Sequence, residues 1–335
     1  MKEFRTGLVV GKFNPLHLGH ELLIRRAMAA SERTIIISYS SPELPGCEPH
    51  KREQWLRARF PQAIVLVLDG ERRPLPHNDA DALLHRRFVG QICLDVLDTT
   101  VDAVFTSEDY GDGFAEELSR YFAARRGGQW QVRHMMVDQA RMAVPISGTR
   151  VRADPHGLRD FLCDEVYASF VQTVCFLGGE SSGKTTLTAA MAKRMDTVWA
   201  EEYGRELWVA RNGDLTYDDM LTIATVHQHR EDELRRQASR FLFCDTSALT
   251  TLFYCREMFG RAQPALEHAA ERRYDHVFLC VPDFDFIQDG TRRDAAFSHR
   301  QHRWYMAELE RRGIPYVLLE GPLQQRVAAV LARLA

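Results

Sequence analysis

Two histidines stand three residues apart, just after a short apolar stretch near the N-terminus. The segment GKFNPLHLGH, residues 11–20, has the form G-x-F-x-P-x-H-x-G-H. Gly11 brings the backbone close to a ligand, and His17 precedes a predicted helix whose first N–H groups attract anions. The imidazoles of His17 and His20 can donate hydrogen bonds to the α-phosphate of ATP, and Gly19 leaves room for the nucleotide. The segment therefore predicts a nucleotide-phosphate site.

A second segment, ISGTRVR at residues 146–152, supplies partners for the same phosphates. Ser147 and Thr149 stand where a helix begins, so their hydroxyls either cap that helix or bind the β- and γ-phosphates. Arg152 adds a fixed positive charge. The two segments together predict an ATP site in which the two histidines are catalytic. Its predicted binding residues are Gly11, Lys12, Phe13, His17, Gly19, His20, Ser147, Thr149 and Arg152.

A phosphate-binding loop is predicted halfway along the chain. GGESSGKT, residues 178–185, fits G-x-x-x-x-G-K-[ST] between a predicted strand and a predicted helix. Its backbone wraps a polyphosphate, Lys184 reaches the β- and γ-phosphates as a catalytic residue, and Thr185 ligates Mg²⁺. Two arginines of the loop QDGTRRD, which also contains Asp289, are predicted to close over the phosphates as a lid, with an ordinary basic loop as the alternative interpretation. The predicted ATP-binding residues of this second site are Gly178, Gly179, Glu180, Ser181, Ser182, Gly183, Lys184, Thr185, Thr186, Arg292 and Arg293.

Carboxylates complete the second site. Asp245 ends an apolar strand, where P-loop proteins place a catalytic carboxylate that holds Mg²⁺; a helix cap is the alternative interpretation. Glu202, in the segment EEYGREL, is predicted to take the proton from an attacking hydroxyl, with a solvated charged turn as the alternative. Tyr203 and Arg205 stand beside it as predicted substrate-binding residues, together with Glu202 itself.

The remaining histidines and the cysteines predict no metal site. The pairs His227/His229 and His299/His302 are predicted to be surface histidines, because no cysteine or carboxylate completes a ligand set at useful spacing. The seven cysteines are scattered without a C-x-x-C pair, which indicates reduced core cysteines. With no signal-peptide or transmembrane pattern, we expect a cytoplasmic protein that does not insert into a membrane.

Short apolar strands alternate with helical patterns along both halves of the chain, which predicts α/β architecture with parallel sheets. A length of 335 residues and 45% hydrophobic content suit two domains, and a net charge of −3 gives no general reason to expect nucleic-acid binding. We expect two tandem parallel-sheet domains, a Rossmann-like domain at residues 1–165 and a P-loop domain at residues 171–335. We predict a short helical connector between them. The sequence leaves open whether the protein forms a homo-oligomer. The predicted strands are TGLVVG, RTIIISY, AIVLVLD, AVFTS, VRHMMV, TVCFLGG, DTVWAEE, RFLFCDT, HVFLCVP and IPYVLLE.

The first two motifs resemble the nucleotidyltransferase superfamily, and their pairing with a P-loop resembles the NadR-type bifunctional enzymes. In these, a nicotinamide mononucleotide adenylyltransferase is joined to a ribosylnicotinamide kinase. The resemblance covers nearly the whole chain and is carried by GKFNPLHLGH, TSED, ISGTRVRADP, LGGESSGKTTL, EEYGREL, DTSALTT and QDGTRRD. It implies that the C-terminal half phosphorylates ribosylnicotinamide and that the N-terminal half converts the mononucleotide to NAD. Mg²⁺ is the implied metal, ATP the co-substrate, and Thr106, Ser107 and Glu108 are implied to lie near the nucleotide.

The sequence departs from the NadR-type pattern in two places. Some family members carry a DNA-reading segment before the adenylyltransferase, whereas only six residues precede Gly7 here, so we expect no repressor role and no nucleic-acid partner. Related enzymes often place tryptophans after LPHND, where this sequence has residues 79–82, Asp-Ala-Asp-Ala. Trp55, Tyr110 and Trp130 are left open as the aromatic contact to the pyridine ring.

Two other hypotheses stay open beside NAD salvage. The same two chemistries acting on another phosphorylated cofactor precursor would use the same motifs. An ATP-dependent regulator, in which the P-loop half senses nucleotide and controls a partner protein, would bind ATP without turning over a riboside. Riboside-dependent turnover distinguishes an enzyme from such a sensor.

Overall fold

The structure, a computed structural model, describes residues 2–288, 290 and 292–335. Asp289, named above with the arginine loop, lies outside the described residues. The chain divides into two compact units, Met1–Phe170 and Val171–Ala335. Each unit contains a five-stranded sheet in which the paired strands are parallel, so the predicted fold class is confirmed. Within the described residues no helix combines the length and apolar character needed to span a bilayer.

The first unit alternates strands and helices, as its sequence pattern predicts. A π-helical turn, Ile92–Val96, extends its third helix, and short 3₁₀ turns stand at Arg159–Phe161 and Ala168–Phe170. Its strands and helices are β1 (Phe4–Gly11), α1 (Leu18–Ala30), β2 (Ser31–Ser38), α2 (Pro49–Arg59), β3 (Ile64–Val67), α3 (Ala82–Gln91), β4 (Ala103–Thr106), α4 (Gly111–Arg126), β5 (Arg133–Met136), α5 (Gly148–Ala153) and α6 (Asp164–Tyr167).

The second unit repeats the alternation with a longer set of helices. Its longest helix begins with a capping box, in which the Thr216 and Asp219 side chains each accept from the other's backbone N–H. The strands and helices are β6 (Gln172–Gly178), α7 (Lys184–Arg194), β7 (Trp199–Ala200), α8 (Tyr203–Ala210), α9 (Tyr217–Gln237), β8 (Phe241–Asp245), α10 (Ala248–Phe259), α11 (Pro264–Ala269), β9 (His276–Cys280), α12 (Ala295–Arg311), β10 (Val317–Leu319) and α13 (Leu323–Leu334).

The central strand of each sheet is apolar because both of its faces are covered. In β6, Cys175 and Leu177 pack into one core cluster while Val174 and Phe176 pack into another on the opposite face. Such strands give continuous apolar runs rather than an alternating pattern. Each of the ten predicted strand segments overlaps an observed strand.

The strand order of each sheet determines which of the predicted motifs follow neighbouring strands. The first sheet has the order β3-β2-β1-β4-β5 and the second has β10-β9-β6-β8-β7. Parallel α/β sheets bind ligands beyond the carboxyl ends of their strands, where the strand order reverses. In the first sheet that point lies between β1 and β4, and in the second the carboxyl ends of β6 and β8 are neighbours.

Candidate functional site

The Phe13 ring and two hydrogen bonds fix the loop after β1. Phe13 has a φ of 49°, and its ring covers Gly11, where an added Cβ would lie 3.0 Å from the ring. The carbonyl of Lys12 accepts hydrogen bonds from Ser38 Oγ at 3.2 Å and from Arg52 Nη1 at 3.3 Å. The Arg52 guanidinium is fully buried, whereas the Lys12 side chain is exposed. The backbone of the loop is therefore fixed by these contacts, while the Lys12 side chain is exposed to solvent.

His17 and His20 form a stacked pair at the start of α1. Their ring centroids are 3.7 Å apart with planes 15° from parallel, and His17 caps the helix by accepting from the His20 backbone N–H at 3.4 Å. Gly19 makes this stacking possible, since a Cβ there would lie 3.2 Å from the His17 ring. His20 Nδ1 is buried and has no hydrogen-bond partner among the described residues. An unpartnered ring nitrogen beside an open loop is suited to a ligand.

Both imidazoles are neutral at ordinary pH in the free protein. Burial, with a contribution from the positive charge of Arg141, lowers the pKa of His17 to about 4. Burial, followed by the neighbouring His17, lowers the pKa of His20 well below its usual value. Each neutral ring keeps one N–H donor, so the pair can still donate to a phosphate oxygen. Arg141 was not singled out from the sequence, although it is a basic residue shortly before ISGTRVR.

The segment ISGTRVR contacts the loop after β1, as the sequence predicts for a shared site. Arg152 Nη1 donates a short hydrogen bond to the Asn14 carbonyl, and its Nη2 donates to Thr149 Oγ1 at 3.1 Å. Gly148 lies so close to Asn14 that an added Cβ would be 2.8 Å from the same carbonyl oxygen. Ser147 caps α5 by accepting from the Arg150 N–H at 3.4 Å. The structure thus brings the two motifs together.

The segment TSE follows β4 at the same edge of the sheet. Thr106 is buried, and its hydroxyl contacts the Glu108 carbonyl and His134 Nε2, each at 2.8 Å. Glu108 lies 3.9 Å from Arg141, and Ser107 follows Thr106 at the half-buried start of the turn. The Thr106 side chain therefore shapes the turn, and the role of this segment near the nucleotide stays a prediction.

The three aromatic candidates for the pyridine contact lie in different environments. Trp55 is fully buried and donates to Ser169 Oγ at 3.0 Å. Trp130 packs against Phe122 and donates to a backbone carbonyl before β5 begins, at the amino end of that strand. Tyr110 lies just before α4, beyond the carboxyl end of β4, and 40% of it is exposed. Tyr110 is the candidate at the edge of the sheet that carries both motifs.

The P-loop between β6 and α7 needs its glycines. Gly178 has a φ of 149°, and an added Cβ would lie 2.6 Å from Ser182 Oγ. At Gly179 a Cβ would lie 2.4 Å from the Ser298 carbonyl, and Gly183, with a φ of 79°, precedes α7. The amino group of Lys184 donates to the Gly179 carbonyl at 2.9 Å, across the opening of the loop.

The predicted lid arginines lie beside the P-loop. Glu180 joins the two segments, because its carboxylate accepts from the Arg293 N–H at 2.6 Å and from the Tyr254 hydroxyl at 2.7 Å. Arg292 Nη1 donates to Ser181 Oγ at 3.3 Å. Arg292, Arg293, Ser182 and Thr186 line the same cavity as Lys184.

Thr185 and Asp245 fit a Mg²⁺ ion. The Thr185 hydroxyl donates to Asp245 Oδ2 at 2.5 Å, while Asp245 Oδ1 is buried without a hydrogen-bond partner among the described residues. Carboxylate and hydroxyl oxygens beside phosphates are the ligands that Mg²⁺ uses in P-loop enzymes. Burial raises the pKa of the Asp245 carboxyl, with Lys184 acting in the opposite direction. A cation at this position would offset the electrostatic cost of burying the ionised Asp245 carboxylate.

Glu202, Tyr203 and Arg205 line a cavity of about 460 Å³ that the P-loop also lines. Burial and the nearby charge of Asp245 raise the pKa of Glu202, and Lys184 and Arg205 partly offset this shift. Tyr203 stacks under the Arg230 guanidinium at 4.6 Å. Apolar and aromatic side chains line the same cavity, namely Trp208, Leu215, Met220, Ile223 and Met258. The cavity therefore combines the P-loop with polar and apolar side chains.

The structure corrects the prediction of four surface histidines. His229 and His299 are exposed, but His227 and His302 are buried. His227 lies on the inward face of α9, four residues before the fully buried Glu231, and lines the cavity. Spacing within the sequence did not reveal which faces of α9 and α12 turn inward, so the prediction was wrong for these two residues.

The sequence analysis also did not identify Arg326, which donates a hydrogen bond to the backbone of the P-loop. It is 2% exposed and donates to the carbonyls of Ser182 and Val281, each at 2.8 Å. It lies on the buried face of α13 with Val330 and Leu334, at spacings of four residues. The sequence signal that could have identified Arg326 is its position, as a charged residue, on the apolar face of an amphipathic helix.

Comparisons with known proteins agree with both halves of the structure. Residues 173–326 match a family described as AAA domain. The chain is similar to the trifunctional NAD biosynthesis/regulator protein NadR of Escherichia coli K12, at 29% identity, with 94% of this chain and 78% of that protein covered. It is similar to the protein of the same name from Salmonella typhimurium LT2, at 29% identity, with 87% and 72% covered.

Two solved structures share the fold of the whole chain. One is a NadR protein in complex with NR, with a TM-score of 0.74 and 22% identity over 99% of this chain and 95% of that one. The other is a NadR protein in complex with NAD and AMP-PNP, with a TM-score of 0.72 and 21% identity over 99% and 96%. Similarity in sequence and in fold thus extends along nearly the entire chain. Over that length, the chain is similar to proteins of the NadR type.

Proposed function

We propose that this protein makes NAD from ribosylnicotinamide in two ATP-dependent steps. The unit Val171–Ala335 phosphorylates the 5′-hydroxyl of ribosylnicotinamide, and the unit Met1–Phe170 transfers AMP from ATP to the resulting mononucleotide. The observation that supports the proposal is that one chain has two separate loops suited to phosphates, residues 11–20 after β1 and residues 178–185 after β6. The NadR-type relatives, which are NAD biosynthesis proteins by name, support the same substrates.

In the kinase step, the cavity orients the riboside hydroxyl toward the γ-phosphate. Glu202 accepts the hydroxyl proton as the oxygen bonds to the γ-phosphorus, and the bond from that phosphorus to the β–γ bridging oxygen breaks. Lys184 and the two lid arginines stabilise the charge on the transferred group and on ADP. Thr185 and Asp245 would hold Mg²⁺, which supplies positive charge to the phosphates when bound.

In the adenylyl-transfer step, an oxygen of the mononucleotide phosphate bonds to the α-phosphorus of ATP and pyrophosphate leaves. This reaction needs positioning and charge stabilisation rather than a covalent intermediate. The neutral rings of His17 and His20 donate hydrogen bonds to the α-phosphate, and Lys12 and Arg152 provide positive charge. Mg²⁺ bound to the ATP would supply a counter-charge to the phosphates.

Tyr110 is our candidate for the contact with the pyridine ring. It is partly exposed at the carboxyl edge of β4, while both tryptophan candidates are committed to packing elsewhere in the unit. An aromatic ring at this position can stack on the nicotinamide. We also propose a cytoplasmic location, because the seven cysteines are unpaired thiols and six of them are buried.

The decisive experiment incubates the purified chain with Mg-ATP and nicotinamide riboside and follows mononucleotide and NAD by chromatography. Lys184→Ala is expected to abolish riboside phosphorylation and to leave NAD synthesis from added mononucleotide unchanged. His20→Ala is expected to do the reverse, with a loss of about 10²–10³ in the NAD-forming rate, as for removal of a donor to a reacting phosphate or acyl group.

Matched controls lie close to both sites in sequence. Lys193→Ala alters an exposed lysine of the same helix as Lys184, and His50→Ala alters an exposed histidine of the first unit. Both are expected to keep both activities. One substitution that abolished both activities in a folded chain would contradict two separate sites. ATP binding without riboside-dependent turnover would favour the regulatory sensor instead.

A further inference from the structure

A buried imidazole in the first unit has no part in the chemistry described so far. His134 is the second residue of β5, and its side chain is 6% exposed. Its Nδ1 lies 2.8 Å from Asp112 Oδ1, on the first turn of α4. Its Nε2 lies 2.8 Å from the Oγ1 of Thr106, the last residue of β4, and that hydroxyl is 2.8 Å from the Glu108 carbonyl oxygen. One ring therefore connects a strand, a turn and a helix.

The ring holds both ends of the segment 106–112, which joins β4 to α4. It contacts Thr106 at one end and Asp112 at the other. A Cβ added at Gly111 would collide with the ring, so the glycine lets the imidazole lie against the backbone where α4 begins. The segment also contains Tyr110, our candidate for the pyridine contact. The shape of the segment around Tyr110 therefore depends on the position of the imidazole.

The segment 106–112 leaves the sheet beside the loop of residues 11–20. Val9 of β1 pairs with Phe105 of β4, so the carboxyl ends of these two strands lie side by side. The strand order reverses at this point, and parallel sheets bind ligands where that happens. The segment is therefore in position to contact a mononucleotide that reacts with ATP at residues 11–20.

A count of hydrogens gives the protonation state in which the ring makes all of its contacts. The Asp112 carboxylate and the Glu108 carbonyl offer only acceptor atoms, and the Thr106 hydroxyl has a single hydrogen. That hydrogen is needed for the contact with the Glu108 carbonyl. His134 must then donate from Nδ1 to Asp112 and from Nε2 to Thr106. The three contacts are satisfied together only by an imidazole with a hydrogen on each nitrogen.

A neutral ring can satisfy only two of the three contacts. Its one hydrogen stays on Nδ1, because the ionised Asp112 carboxylate forms the stronger hydrogen bond. Nε2 is then an acceptor, and the Thr106 hydroxyl turns toward it and away from the Glu108 carbonyl. The carbonyl loses the donor that held it, so the middle of the segment 106–112 is no longer fixed by Thr106.

The elements packed against the ring carry several charged groups. Asp112 touches the ring and supplies a counter-charge to it. Arg133, beside His134 on β5, is 2.6 Å from Glu3, and Arg141, in the loop after β5, is 3.9 Å from Glu108. Each of these two basic groups thus has a carboxylate of its own. Strand β4 has no ionisable residue, and the segment 106–112 and the first two turns of α4 also contain Asp109, Tyr110, Glu116 and Glu117.

We propose that His134 is a positioning residue of the adenylyltransferase site: with both ring nitrogens protonated it holds the segment 106–112 in the shape that binds the mononucleotide, and loss of one proton weakens that binding. This inference rests on the adenylyl transfer proposed above. It assigns His134 no contact with the substrate. It explains why a buried imidazole is joined to an exposed carboxylate on one side and to a buried hydroxyl on the other.

The first test follows the ring and the reaction in the full chain over the same pH range. Nitrogen NMR of the imidazole reports the protonation of His134, and the amide of Asp109 reports the state of the Glu108 carbonyl to which it is bonded. Both signals should change with one midpoint between about pH 5 and 8, where histidines change charge. With the same midpoint, the KM for the mononucleotide should rise about fivefold as the pH increases, as for loss of one hydrogen bond, while kcat changes less than about twofold.

Two variants on α4 remove one negative charge each and form a matched pair. The side chains of Asp112 and Glu116 are 87% and 69% exposed, and Asp112 is the one that contacts the ring. In Asp112→Asn the ring signal and the KM profile should move together to lower pH, because loss of an opposite charge disfavours the protonated ring. Glu116→Gln should leave both in place. Thr106→Val removes the hydroxyl at nearly constant shape, so its KM should be high at every pH in the range.

Several results would overturn the proposal. A KM profile that stays in place while the ring signal of Asp112→Asn moves would assign the pH dependence to the phosphate of the mononucleotide, which also titrates near pH 6. A His134 ring with a single proton throughout the range would contradict the hydrogen count. A KM that does not rise, or an Asp109 signal that does not follow the ring, would sink the proposal as well. A wild-type chain that forms no NAD from mononucleotide would contradict the proposed function instead, and the two NMR signals would still test the hydrogen-bond chain.

Discussion

Replacing Gly148 by alanine tests whether the two nucleotide motifs of the first unit work as one site. Gly148 is the first residue of α5, and an added Cβ would lie 2.8 Å from the Asn14 carbonyl oxygen and 3.3 Å from Arg152 Nη1. The Asn14 carbonyl belongs to the loop that carries His17, and Arg152 already donates to it. The new methyl group must therefore separate the two motifs.

The size of the effect follows from this contact. Ordinary Cβ contacts begin at 3.4 Å, so the backbone must move by about 0.6 Å. A misplacement of about 1 Å at a reacting group can cost about 10²-fold in rate, so we expect roughly a tenfold loss in NAD formation from the mononucleotide. Overpacking should destabilise the unit by about 1–3 kcal/mol, partly offset by up to about 1 kcal/mol from the better helix propensity of alanine.

The assay measures kcat/KM for NAD formation, riboside phosphorylation and thermal unfolding on the same protein. Riboside phosphorylation should be unchanged in Gly148→Ala, since Gly148 lies in the other unit. Gly70→Ala is the matched control, because a Cβ at Gly70 meets only Leu75, at an ordinary 3.7 Å. A wild-type rate of NAD formation in Gly148→Ala would refute the reasoning that close contact between the two motifs sets the geometry of the site.

Two more predictions concern charge. The His17 imidazole should titrate near pH 4 by NMR in the nucleotide-free chain. Because the unfolded chain binds this proton near pH 6.5, the folded state should lose about 3 kcal/mol of stability as the pH falls from 6.5 to 4. Titration near pH 6.5 would contradict this prediction and show that the ring is solvated. Asp245→Asn should raise the Mg²⁺ concentration for half-maximal riboside phosphorylation at least about tenfold. Because burial and Glu202 make the Asp245 charge unfavourable, the same variant should unfold at an equal or higher Tm without Mg²⁺, and a lower Tm would contradict this account.

The local features of the fold were predictable because they depend on neighbours in sequence. Apolar runs such as VVG before Lys12 and CFLGG before Glu180 mark buried parallel strands. The helix starts after His17 and Gly183 were predictable for the same reason. The order of the strands was not, since it depends on which apolar faces pack together over long distances.

The residues that we propose contact the phosphates were largely within reach of motif reasoning, whereas the residues that support them were not. Arg52 and Arg326 act across 40 or more positions of the chain, and His227 lies on the inward face of α9. Arg52 stands in no recognisable spacing pattern, and its place on the apolar face of α13 is the sequence signal for Arg326. Their partners in the folded chain depend on tertiary contacts, which a local pattern of residues does not report.

The sequence by itself determined where the apolar strands lie, and it predicted two phosphate-binding loops with their glycines, histidines, lysine and hydroxyls, because such loops are built from consecutive residues. Only the tertiary structure decided that Arg152 reaches the Asn14 carbonyl and that Glu202, Asp245 and His227 share one charged environment. The physical reason is that pKa values and close contacts depend on distance and burial in space, and those quantities exist only once the strands have been ordered and the helices packed against them.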